Sequence, residues 1–208
     1  MLNRFNVWAF AATLMFVVSC GSPGVRTAEP GERIDLPAIS VEVPRAQGWV
    51  YSHRTEGEDH YLQLFRQSDS PTYTYLAMVN VARMPKEALV QGLPTEEEFL
   101  RQVKETSRQQ MPRSRFVPIE ESFELDSRYS DLCVCTEASV RDLGALNAGD
   151  EPFLILQAKS YNFVLERGED QRPVFVHISY TERGKSDEIG TDFEHRAEHF
   201  FAAVDLGK

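Results

Sequence analysis

His195-Arg196-Ala197-Glu198-His199 sets two imidazoles and a carboxylate at the H-x-x-E-H spacing of a zinc site. Residues at i and i+4 share a helix face, as a shared metal requires. The same stretch carries an apolar stripe, Phe193, Ala197, Phe200, Phe201 and Val204, at helical spacing. That stripe must face a core, which turns His195 and His199 to water. Cys133 and Cys135 sit two apart, on one face of a strand. A bridge between such parallel side chains would distort the strand, so they read as small packing residues with inert thiols. His53, Glu56, Glu58, Asp59 and His60 crowd a hairpin tip where a divalent ion could collect, but a charged turn in water explains them as well. Nucleophile-elbow, phosphate-loop and dinucleotide fingerprints do not occur. These residues nominate no catalytic side chain, resident metal or cofactor, and leave any ligand-binding residues open.

One further cysteine stands in a chemical context of its own. Met1–Asn6 holds a single charge, Arg4, and Val7–Val18 is apolar except for Thr13. About 20 apolar residues are needed to cross a bilayer, so this run is a signal rather than a span. It exits through Val17-Val18-Ser19-Cys20-Gly21, which resembles the bacterial lipobox. That resemblance implies cleavage after Ser19 and a Cys20 thiol joined to diacylglycerol, with palmitate or another fatty acid on the new amine. Several acyl chains anchor a protein far more firmly than one. Gly21, in place of the Asp that retains enterobacterial lipoproteins at the inner membrane, implies the outer membrane, facing the periplasm. We expect three segments: a signal peptide at 1–19, a flexible tether at 20–33 with three Gly and two Pro in its last thirteen residues, and one domain at 34–208.

The whole chain has 208 residues, 22 Lys and Arg against 32 Asp and Glu, and a net charge of −10. That balance, with no basic run, argues against nucleic acid and acidic headgroups as partners of the folded body. With 42 % apolar residues the chain can bury a core without a disulfide scaffold.

The elements that must position these groups are mostly strands. Ile39, Val41 and Val43 alternate with polar residues; Trp49–Tyr51 and Tyr61–Phe65 flank a polar turn as a hairpin. Tyr73–Ala82 is apolar on both alternating sets, so it must be covered on both sides. Four more strands are expected near 115–125, 129–141, 153–165 and 172–182. Thr95-Glu96-Glu97-Glu98 is a capping box that starts a helix carrying Phe99 and Val103 and ending at Met111-Pro112. Thr191-Asp192-Phe193-Glu194 has the same form before the second helix. The fold class expected is α+β: an antiparallel sheet covered by helices on both faces, three layers α/β/α.

Val41-Glu42-Val43-Pro44 followed by Gly48-Trp49, and the ending Val176-His177-Ile178-Ser179-Tyr180 through Phe200-Phe201, resemble the PsbP-like proteins. The resemblance spans about 39–206 and implies that sandwich. It brings no catalytic residues, and it points to a binding or assembly role. The functional expectation is a lipid-anchored, non-enzymatic envelope protein with a protein partner. The alternative is a cryptic hydrolase or metal-dependent enzyme.

Overall fold

The computed structural model describes residues 24–84, 92–166 and 172–207. The segment expected to be a signal peptide, 1–19, and the expected lipidation site Cys20 lie outside the described residues. Among the described residues, eleven strands and two helices follow in the order β1 (Val25–Thr27), β2 (Arg33–Leu36), β3 (Ile39–Glu42), β4 (Val50–Glu56), β5 (Asp59–Gln67), β6 (Thr74–Arg83), α1 (Glu96–Gln110), β7 (Phe116–Leu125), β8 (Cys133–Asp142), β9 (Leu154–Leu165), β10 (Val174–Gly184), α2 (Phe193–Ala202) and β11 (Val204–Leu206). Eight of the strands form one antiparallel sheet in the order β1-β4-β5-β6-β10-β9-β8-β7; β11-β3-β2 form a second.

The large sheet is two meanders joined side by side. β4-β5-β6 and β7-β8-β9-β10 each pair in chain order, and the two blocks meet where β6 pairs with β10. Gly57 supplies the positive φ (63°) that the tight β4–β5 turn requires. Strand alternation then sorts the side chains into two faces. Leu62, Val79, Ile178, Tyr161 and Cys133 fall on one, with Phe163 among them. His177, Asn80 and Asn162 fall on the other.

The Phe163 face carries the main core. Ala197, Phe200 and Phe201 of α2 pack there with Val41 and Val43, the sheet valines and Trp49. The Tyr161 and Phe201 rings meet edge to face at 4.9 Å, a geometry favoured by the ring quadrupoles. A smaller cluster joins Phe99 and Val103 of α1 to Val134 and Val164. α1 starts as its sequence predicts: Glu98 N–H donates to Thr95 Oγ1 (3.3 Å) and Thr95 N–H donates to Glu98 Oε2 (3.1 Å). The second capping box does not form, since Asp192 holds the N-cap position of α2 without a side-chain bond.

Two expectations need correction. The three-layer α/β/α sandwich is not what forms: 48 % of the described residues are strand and 15 % helix, built round an eight-stranded antiparallel sheet. Much of the cover expected from helix is a second sheet. Ile34 and Leu36 belong to a separate strand, which turns into β3 through Pro37-Ala38, with Ala38 at φ 72°. Val204, read as the end of a helix stripe, is instead in β11 and pairs with Val41. An apolar residue at i+11 suits a helix face and a following strand equally. The second correction concerns the tether. Val25–Thr27 pair with Val50–Ser52 of β4, Ala28 N–H donates to Trp49 O (3.0 Å), and Ala28 is buried. Residues 25–28, expected within the tether, are therefore part of the folded sheet.

Candidate functional site

Register places two rows of polar side chains across the centre of the His177 face. Asn80, His177 and Asn162 lie abreast on β6, β10 and β9. Ser179, Ser160 and Thr136 form the next row, on β10, β9 and β8. His177 Nδ1 and Asn162 Oδ1 are 2.9 Å apart. Burial lowers the His177 pKa to about 4, so the ring is neutral at physiological pH. The buried Ser179 and Thr136 hydroxyls have no hydrogen-bond partner among the described residues. A buried imidazole with a displaced pKa marks a site worth testing for chemistry. Here, however, its bond is to an amide, not to a hydroxyl or an acid. The set offers neutral hydrogen-bonding groups without a serine–histidine–acid relay.

Most of the strong electrostatics serves to fasten elements together. Glu182 is wholly buried and accepts bonds from Tyr180 Oη (3.0 Å), Arg196 Nε (2.6 Å) and Arg196 Nη2 (2.7 Å), and from the Tyr73 hydroxyl. This bidentate grip ties α2 to β10. Arg115 holds buried Asp142 in the same way, at 2.7 and 3.0 Å, joining the start of β7 to the end of β8. Burial alone would raise the Asp142 pKa, but the Arg115 hydrogen bond and charge outweigh it and hold the carboxyl below its usual range. Lys159 is surrounded by Glu137, Glu194 and Glu198, linking α2 to β8 and β9.

The chemistry-bearing residues read from sequence are placed as follows. His195 and His199 are exposed on α2, away from the buried Ala197, Phe200 and Phe201. The hairpin cluster divides between two faces. His53 and His60 stack at 3.3 Å between ring nitrogens on one side, whereas Glu56 and Asp59 pair on the other. Glu58 instead meets Arg172 and Arg83. Cys133 and Cys135 are free thiols; burial raises their pKa values to about 12 and about 11. Among the described residues, no group of three or more His, Cys, Asp or Glu side chains converges on a metal-sized site.

No family model matches the chain, and no curated protein is significantly similar to it.

A different feature stands out at the end of the large sheet. β7 is ten residues long, and among the described residues nothing pairs with its outer edge. The other end of that sheet is the three-residue β1. Exposed apolar side chains gather near the start of β7: Val117, Ile119 at 52 % exposure, and Leu143 at 49 %. Val117 lies beside Arg141 in the ladder, and Leu143 N–H donates to Arg115 O (2.9 Å), so Val117 and Leu143 fall on one face at diagonal positions. The ladder shifts register between Pro118 and Glu120, the mark of a bulge that lifts Ile119 out. An edge strand presents unmet backbone donors and acceptors, and exposed apolar residues beside it are a docking signal. The alternation near 115–125 marks the strand but not its free edge, because strand order is not written in local pattern.

Proposed function

We propose that this protein is a lipid-anchored envelope module that binds a protein partner, without catalysis of its own, through the β7 edge. The observation that carries the reading is the long outer edge of β7, without a partner among the described residues, beside Val117, Ile119 and Leu143. Support comes also from the way Glu182, Asp142 and Lys159 spend their charge on internal fastening rather than on a shared reaction centre. The lipobox at Cys20 supplies the anchor, and Gly21 favours the outer membrane with the body in the periplasm.

The experiment has two arms. Intact mass of the protein extracted from envelopes should show loss of residues 1–19 and added acyl mass on Cys20. Size-exclusion of the detergent-extracted protein should show a complex with another chain, which Ile119→Lys with Leu143→Lys dissolves while the fold persists. A monomeric native protein, or a complex indifferent to both changes, overturns the binding assignment. The enzyme alternative rests on His177 and its two polar rows. Hydrolysis of model esters or phosphoesters that disappears in His177→Gln would favour it.

A further inference from the structure

Resting on that reading, we infer that the partner segment taken by β7 is an extended strand with basic residues at alternate positions and apolar residues between them. The backbone sets the geometry. Asp126 N–H donates to Cys133 O (3.0 Å), so Asp126, Glu124 and Ser122 direct their backbone groups toward β8. Alternation turns those of Glu121, Phe123 and Leu125 to the free edge. Beyond the bulge, Glu120–Leu125 runs in unbroken register, enough for about six hydrogen bonds to an added strand.

The side chains set the chemistry. Glu120, Ser122 and Glu124 share one face, with Glu137 directly beside Ser122 on β8. Directly opposite residues in neighbouring strands have Cβ atoms about 5 Å apart, and opposite charges there stabilise. Lys or Arg at every second position of the incoming strand would answer Glu120 and Glu124. The intervening residues would lie beside Phe123 and Leu125, where apolar side chains fit. A second copy of this chain is disfavoured: β7 paired with itself about Ser122 sets Glu120 opposite Glu124. The carboxylates therefore select a partner as well as guard the edge.

The test uses the full-length protein in detergent and three labelled peptides: alternating Lys-Val, alternating Glu-Val, and a block peptide with the Lys-Val composition. Fluorescence anisotropy should give micromolar binding of the alternating basic peptide, with the other two weaker by tenfold or more. Glu120→Lys with Glu124→Lys should weaken that binding at least tenfold. Hydrogen exchange at the Glu121, Phe123 and Leu125 amides should slow on binding, a change that charge attraction alone does not produce. Equal binding of the block peptide, or unprotected edge amides, overturns strand addition. Should the peptides fail while Ile119→Lys with Leu143→Lys still dissolves a native complex, the binding module stands and this partner chemistry falls.

Discussion

Arg196 on α2 grips the buried Glu182 of β10 with two nitrogens, at 2.6 and 2.7 Å. The hydrogen bonds to Glu182 and its charge raise the Arg196 pKa above its ordinary value. Removing one partner of a buried ion pair costs about 3–5 kcal/mol, because the other charge is stranded. Arg196→Leu should therefore lose about that much in urea denaturation. Arg196→Leu with Glu182→Leu should cost less than Arg196→Leu alone. Equal or greater loss in the double variant would mean the pair is not the main source of the effect.

Gly184 touches the Tyr73 ring so closely that a Cβ there would overlap it. The ring cannot withdraw freely, because its hydroxyl donates to Glu182. Gly184→Ala should cost about 1–3 kcal/mol by overpacking. In a Tyr73→Ala background the same change should be nearly neutral. Additive losses would show that Tyr73 is not the obstacle.

The buried His177 predicts a pH dependence of definite sign. Its pKa falls from 6.5 to about 4 on folding, so between these values the unfolded chain takes up a proton that the folded chain refuses. Stability must then fall as pH drops from 6.5 toward 4, by up to about 1.4 kcal/mol per pH unit. Burial also lowers the His60 pKa, so some of this slope remains without His177. Urea midpoints of the native protein and His177→Gln should diverge across pH 6.5 to 4 and run parallel above it. Parallel curves throughout would refute the assignment.

How far the sequence reveals this molecule is clearest at its two helices. Thr95 and Glu98 state the first helix start outright, because a capping box is local chemistry. The limits of the second were blurred by Val204, whose place depends on pairing with Val41, far away in the chain. β1 was hidden for a related reason. Its three exposed residues join the sheet through backbone bonds, which composition does not encode. The rows containing His177 and Ser179 were half legible: their alternation with Val176, Ile178 and Tyr180 marks two faces, but only the β6–β10–β9 order brings Asn80 and Asn162 beside them.

The aromatic core and the exposed histidines should answer mutation in opposite ways. Phe200 is buried against Tyr180 and Phe201, so Phe200→Ala should cost about 3–5 kcal/mol by leaving a cavity. His195→Ala with His199→Ala should stay within about 0.5 kcal/mol, as exposed substitutions do. Thermal melts with and without chelator check both. A chelator-sensitive melt lost in the histidine variant would place a metal on α2.

The central claim is that β7 is where another protein meets this one. A photo-crosslinking amino acid at Ile119 in the intact envelope tests it most directly, with the same group at Arg26 on the opposite, short edge as control. The account predicts a discrete adduct from Ile119, identified by mass spectrometry as joining a basic-apolar strand of one partner, and none from Arg26. The absence of an adduct at Ile119, or the same adducts from both edges, would contradict it.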